Sequence, residues 1–278
     1  MPLVGPNEDV PLNRSDQRSP IARARAVWRV RKILWLLVVR DLKVTYAGSA
    51  LGYVWTVLDP LLMCSVYWFV FTQVFPRGAG EEPYIIFLVA GVLAWNWFTS
   101  SVNESAKAFR ASRKLVKSTN LPREIWILQV VMSKGCEYVM SLPVLVAFML
   151  IYQKSVNIYI LTLPLAMAIQ FVLLTGIGLL LAPLIVLVRD LERLIKVMLR
   201  LGFYASPVLY SVDRVPESYQ WIYVVNPMGD LLQLYRAGIF GDLMNWGHVG
   251  IAAAISTAVF ALGWFVFARL ERTALKEI

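Results

Sequence analysis

The sequence predicts an all-α polytopic membrane protein, and three observations carry that prediction. Of its 278 residues, 58% are hydrophobic and only 16% are charged, against about 45–50% and about 25% in an ordinary soluble domain. The apolar residues fall in long runs rather than period-2 alternations, with a mean hydropathy of +0.61, as membrane-spanning helices require. A basic ledge beginning at Arg40 turns, at Gly48 and Gly52, into an apolar run that continues to Phe75.

Taken in order, residues 1–22 read as a flexible polar tail. Asn7, Glu8, Asp9, Arg14, Asp16 and Arg18 leave no apolar core for a cleavable signal, so the first span is expected to act as its own insertion signal. Residues 23–46 set Arg23, Arg25, Arg29, Arg31 and Lys32 against Val27, Trp28, Ile33, Leu34, Leu37 and Val38, the pattern of an amphipathic helix lying in the membrane interface. Residues 47–278 form the transmembrane domain. At about 20 apolar residues per crossing, six spans are expected near 51–75, 84–104, 128–152, 158–188, 194–212 and 248–268, with Gly176, Gly178 and Pro183 as places for the long fourth to bend. The external segment 213–247 is rich in Trp, Tyr and Leu but is broken by Pro216, Pro227 and Gly229. Two short re-entrant helices fit it, since broken backbone at membrane depth survives where protein shelters it.

Basic residues set the orientation. The N-terminal tail, the loop with Lys107, Arg110, Arg113, Lys114, Lys117 and Arg123, the turn with Arg189, Arg193 and Lys196, and the C-terminal Arg269, Arg272 and Lys276 share one side. The other side holds only Arg77, Lys154, Arg214 and Arg236. The positive-inside rule then puts both termini in the cytoplasm of a plasma-membrane protein. A pI of about 9.6 would suggest nucleic acid in a soluble chain; here it reports topology, and nucleic acid is not an expected partner.

Chemistry-bearing patterns are few. No GxxxxGK[ST] loop, HExxH or Asp-x-Asp motif occurs, and the one histidine, His248, has no obvious carboxylate or cysteine companion. Cys64 and Cys136 lie in apolar stretches and read as buried packing. Ser65, Thr72, Ser101, Ser133, Ser141 and Thr175 read as hydroxyls bonded to helix carbonyls or neighbouring helices. Lys134 and Glu137, three apart, can neutralise each other on one helix face. Asp59 before Pro60 either lines a passage or caps a carbonyl that the proline frees; both readings stand.

Aromatics are the more suggestive set. Tyr46, Tyr53 and Tyr67 recur at multiples of seven, near one face of a helix. Trp95, Trp97 and Phe98 cluster, as do Phe203, Tyr204 and Tyr210, and Trp221 with Tyr223. Interfacial belts explain such residues in general. A channel for sugar is the alternative, because sugar rings stack C–H faces on aromatic rings while their hydroxyls meet polar tips. The loop from Lys107 to Glu124 reads either as a solvated basic loop or as a short helix pressing into a partner's groove, with Asn120 and Pro122 marking the start of the next helix.

Three blocks, in this order, resemble the membrane subunit of polysaccharide ABC exporters, the type-2 exporter permeases that move O-antigen, teichoic acid, capsule and galactan: RDLKVTYAGSALGYVWTVLDPLLM at 40–63, KLVKSTNLPREI at 114–125, and RDLERLIKVMLRLGFYASPVLYSVDRVPESYQWIYVVNPM at 189–228. The resemblance implies a homodimer of six-span subunits above two separate ATP-binding-cassette subunits, which would bind ATP and Mg, with no cofactor in this chain. It implies a gate helix at 23–46, a coupling helix at about 104–118 and a re-entrant pair at 213–247. Coupling would rest on Phe109, Arg110, Arg113, Lys114 and Lys117. Arg31, Arg40 and Lys43 would grip the diphosphate of a polyprenyl-linked glycan at the entrance, and Tyr46, Tyr53, Tyr67, Trp95, Phe203, Tyr204, Tyr210, Trp221 and Tyr223 would line the channel. Asp59 and Thr45 depart from the amide or Glu and the basic residue frequent at those positions. Few charges in the spans favour a neutral glycan, and NPMGDLLQLYRAGIF resembles galactan exporters. An integral-membrane enzyme acting on lipid-linked sugar would need a convergent catalytic pair, which the sequence does not offer; a passive channel or scaffold would need no ATPase.

Overall fold

The computed structural model describes residues 20–74, 81–111, 116, 119, 121–219, 223, 226–241 and 245–277. Among these the fold is all helical. Two helices, α1 (Pro20–Arg29) and α2 (Arg31–Thr45), occupy the stretch expected as one interfacial helix, and they join at Val30. A 3₁₀ turn at Gly52–Val54 leads into α3 (Trp55–Phe69), which ends in a π turn at Val70–Val74. Then come α4 (Tyr84–Ser105), the single turn α5 (Ala108–Ala111), and α6 (Ile125–Ile151). A 3₁₀ turn at Ile158–Thr162 opens α7 (Leu163–Leu187), and α8 (Leu191–Ala205), α9 (Pro227–Phe240) and α10 (Trp246–Glu277) follow.

Five helical stretches among the described residues are long and apolar enough to cross a membrane: Gly52–Val74, Tyr84–Ser105, Ile125–Ile151, Ile158–Leu187 and Trp246–Glu277. They coincide with five of the six expected spans. At the remaining one, 194–212, α8 has 15 residues, about 22 Å of helix against about 30 Å of hydrocarbon. It carries Glu192, Arg193, Lys196 and Arg200, and the chain leaves helical geometry at Ser206.

The centre of the bundle is α4, buried almost continuously from Tyr84 to Trp97 and packed against α3, α6, α7 and α9. The most extensive helix pair is α7 with α10. Glycines let these two backbones touch: a Cβ on Gly263 would sit 2.1 Å from the Gly176 carbonyl oxygen, and one on Gly176 would sit 2.5 Å from Phe260 Cα. Small residues replace hydrophobic drive where lipid is as apolar as leucine. Hydroxyls expected to bond helix carbonyls do so at Ser65, Thr72, Ser141 and Thr175. Ser101 and Ser133 depart from that reading: both are buried without a hydrogen-bond partner among the described residues.

The N-terminal helices are fastened to the bundle by charge. Arg23 bonds Glu271 of α10 through both terminal nitrogens, at 2.8 and 3.1 Å, and Glu124 before α6 at 2.9 Å. Burial raises the Glu124 carboxyl above its ordinary value, with Arg23 pulling the other way. Burial lowers the Arg23 guanidinium, but Glu271 and Glu124 outweigh it and leave it raised. A carboxyl whose folded pKa is raised adds stability below the ordinary carboxylate range and loses it as pH rises through the folded value. Glu124→Gln is therefore expected to change stability by no more than about 1 kcal/mol. Arg23→Gln leaves two carboxylates without that guanidinium and is expected to cost about 3 kcal/mol. Thermal unfolding of the two variants in detergent separates these outcomes.

Candidate functional site

Two adjoining cavities lie beside α4. The smaller, about 290 Å³, sits between α3, α4 and α6 and is closed at one corner by Tyr46. Asp59 and Thr56 reach it from α3, Asn96 and Ser100 from α4, and Lys134 and Glu137 from α6. Lys134 is buried and paired twice, with Glu137 at 2.9 Å and Glu104 at 3.0 Å. The i,i+3 pair expected from the sequence forms, and Glu104 of α4 joins it through the fold alone. Trp97 stacks on Tyr138 with ring centres 5.5 Å apart and donates its N–H to the Val131 carbonyl. Tyr138 in turn meets Tyr235 of α9 edge to face at 5.6 Å. Burial, then the Glu137 carboxylate, pushes the Tyr46 phenol up to about 12.

The larger cavity, about 660 Å³, opens between α3, α4 and α8 and shares Asp59, Pro60, Asn96 and Ser100 with the smaller one. Here the structure brings together four of the sequence-predicted aromatics. Phe203 is the hub, 5.7 Å from Tyr67, 5.9 Å from Trp95 and 5.2 Å from Tyr204. Lys107, Lys196 and Arg200 line the same space. The predicted shared face for Tyr46, Tyr53 and Tyr67 does not form, because α2 stops at Thr45 and the chain turns at Gly48 and Gly52, both with positive φ. Tyr46 lines the small cavity and Tyr67 the large one. Tyr53, 41% exposed, lines neither, although its ring stays 4.8 Å from Tyr46. Tyr210 and Tyr223 form a separate pair, hydroxyls 3.0 Å apart, and the Tyr210 hydroxyl lies 3.0 Å from the Tyr204 carbonyl. Trp221 lies outside the described residues.

Where α8 ends, the freed backbone is satisfied by side chains from elsewhere. Tyr84 donates to the Leu209 carbonyl at 2.8 Å, and Asn226 bonds Ser206 at 2.8 Å. Arg236 does most of this work. The sequence counts it among the few external-loop bases, yet it is only 1% exposed and makes no ion pair among the described residues. Its guanidinium donates to the carbonyls of Pro207 and Val208, both at 2.7 Å, and its Nε to that of Phe87 at 3.1 Å, while stacking 3.5 Å above the Phe87 ring. One arginine thus pins α9, α4 and the break after α8. The sequence signal was an ionisable residue inside the apolar run LLQLYRAGIF, which marks a site by default. His248 also gains a companion that the sequence did not show: its Nδ1 lies 3.4 Å from the buried Asp230.

On the basic-loop side, Glu104 and Ser105 complete α4, so the expected coupling segment begins with the end of that helix rather than a new one. Phe109 is buried, its ring 5.8 Å from Phe267 of α10. Arg110 donates to the Ile185 carbonyl at the end of α7 at 2.7 Å and lies 3.7 Å from Glu192. Lys196 holds the Glu192 carboxylate below its ordinary range. Arg113, Lys114 and Lys117 lie outside the described residues. Arg31, Arg40 and Lys43 are exposed on α2. Arg40 and Lys43 share a face, whereas Arg31 lies nine residues back, on the opposite side and about 13 Å along the axis, with its guanidinium over Trp28.

Residues 32–240 match the ABC-2 type transporter family. The chain is similar to the O-antigen export system permease protein RfbA of Klebsiella pneumoniae, 30% identical over 86% of this chain and 92% of the relative. It is also similar to the O-antigen export system permease protein RfbA of Myxococcus xanthus, 32% identical over 78% of this chain and 84% of that relative. The polysialic acid transport protein KpsM of Escherichia coli is 21% identical over 81% and 88%. The matched region runs from α2 through α9 and takes in both cavities and the Arg236 anchor: this chain belongs to the ABC-2 type transporter family.

Proposed function

We propose that this chain is the membrane permease subunit of an ATP-driven polysaccharide exporter, moving a polyprenyl-diphosphate-linked glycan out of the cytoplasm. The observation that carries the reading is the large cavity, whose aromatic wall of Tyr67, Trp95, Phe203 and Tyr204 meets polar groups beside α4 in a member of a transporter family whose relatives carry export names. Ring faces and scattered hydrogen-bonding groups suit a sliding sugar polymer, each contact being weak and repeatable. In this reading two copies face each other, both termini are cytoplasmic, and α8 with the bonded segment after it makes the sixth crossing. The helix α9 is then re-entrant and closes the external mouth. Two ATP-binding-cassette subunits hold ATP and Mg, α1 and α2 form the entrance gate, and α2 cations with those of the large cavity meet the diphosphate. A neutral glycan such as galactan or an O-antigen is the favoured cargo.

The basic segment at α5 would transmit the ATPase stroke. Arg110 is suited to this because it joins α5 to the α7 carboxy terminus and faces the start of α8. In the reconstituted complex, Arg110→Ala is expected to leave ATP hydrolysis within about two-fold while glycan export falls about ten-fold or more, equivalent to about 1.4 kcal/mol of lost coupling. Purification from native membranes in mild detergent is expected to yield an ATP-binding-cassette protein in equal number. Recovery of the chain with no such partner, or normal export by the variant, contradicts the assignment.

A further inference from the structure

The smaller cavity has a chemistry of its own. Its charged groups are Asp59, Lys134 and Glu137, with Glu104 bonded to Lys134 from the side of the larger cavity. Three carboxylates against one ammonium leave a negative surplus, and the ammonium is consumed by its two partners at 2.9 and 3.0 Å. A diphosphate entering here would meet like charge, with no free cation among the described lining residues to receive it. Among the other polar groups of the lining are the Asp59 carboxylate, which is exposed and makes no hydrogen bond or ion pair among the described residues, and the Asn96 amide, whose oxygen accepts from the Ser100 hydroxyl at 3.4 Å. Aromatic rings make up much of the same lining. The Trp97 N–H is already spent on the Val131 carbonyl, so that residue offers only its ring, and Trp55, Tyr46 and Tyr138 supply the others. The volume, about 290 Å³, lies at the lower limit for a small-molecule pocket, room for one sugar ring.

We propose that this cavity is a saccharide subsite which takes one uncharged hexose unit and excludes anionic groups. Asp59 and Asn96 bond ring hydroxyls, and an aromatic face covers the C–H side of the ring. The inference rests on reading the chain as a glycan permease, and it adds a selection step. The shared wall at Asp59, Pro60, Asn96 and Ser100 lets a sugar pass between this pocket and the larger cavity, while the diphosphate is left to the cations outside it. The device favours neutral glycans by repelling charged sugars rather than by binding neutral ones tightly.

The test is saturation-transfer NMR on the full chain in lipid nanodiscs, with methyl β-galactopyranoside as probe. The expected result is transfer to its ring C–H protons, unaffected by inorganic pyrophosphate, with N-acetylneuraminate giving a signal about ten-fold weaker. Asp59→Leu and Asn96→Leu are each expected to reduce the galactoside signal about ten-fold. Both positions are exposed, so the variants should remain folded, which size-exclusion chromatography checks. Trp55→Ala, which lines the smaller cavity and not the larger, should lower the signal as well, whereas Leu262→Ala, exposed on α10 and lining neither cavity, should leave it in place. Undiminished transfer in both leucine variants, displacement by pyrophosphate, or equal transfer to N-acetylneuraminate would overturn the subsite. This outcome is separable from failure of the exporter reading, which is judged on glycan export in cells.

Discussion

Arg236→Ala is expected to cost about 3–5 kcal/mol of stability, the range for leaving buried polar groups without a charged partner. Three carbonyl oxygens, of Phe87, Pro207 and Val208, lose their donor at once. They are buried where water does not reach them easily, and the Phe87 ring loses its cation. At about 2–4 °C per kcal/mol, thermal unfolding in detergent should fall by about 10 °C. Arg236→Lys should recover little, because one ammonium cannot reproduce the planar fork that serves separate carbonyls. Gly91→Ala attacks the same anchor from α4, since its Cβ would lie 2.1 Å from Nη2 of Arg236. A variant at Arg236 with wild-type unfolding temperature would show that the guanidinium is not what holds α9 to the break after α8.

Gly263→Val is the second large effect. The clash at Gly263 is with a backbone carbonyl of α7, 2.1 Å away, so no side chain can rotate to relieve it. The helices must separate along their most extensive contact, and overpacking of this kind costs about 3 kcal/mol or more. Gly250→Val, on the same helix with open space around its Cβ, is the control and should change stability by no more than about 0.5 kcal/mol. Measured side by side, the pair distinguishes close helix approach from a general intolerance of β-branched residues.

How much of this was legible in the sequence depends on which physical signal each feature left. Long apolar runs announced five crossings because hydropathy integrates over about 20 residues. The stretch 194–212 was harder. Its apolar residues are interleaved with Lys196 and Arg200, and its helix ends at Ser206, so the run is not one continuous apolar helix of spanning length. The Lys134–Glu137 pair was readable since helix geometry fixes i,i+3 neighbours. Glu104, Glu124, Glu271 and Asp230 were not, because their partners come from other helices, and sequence spacing carries no information about which helices meet. The burial of Arg236 was hidden for a related reason: a lone base in a loop-like segment counts toward topology, and only the fold shows it buried among carbonyls. Tyr67, Trp95, Phe203 and Tyr204 were among the nine aromatics expected along a channel, but that these four meet depends on which helices pack, and the heptad linking Tyr46 to Tyr53 was an accident of spacing across a turn at two glycines.

The measurement that tests the central claim most directly is depletion of this protein in its native cell, followed by analysis of lipid-linked glycans in the inner leaflet. Export by this chain predicts a long polymer accumulating on polyprenyl diphosphate inside while the same glycan disappears from the cell surface. An unchanged inner-leaflet pool with normal surface glycan would contradict the account and remove polysaccharide as the cargo.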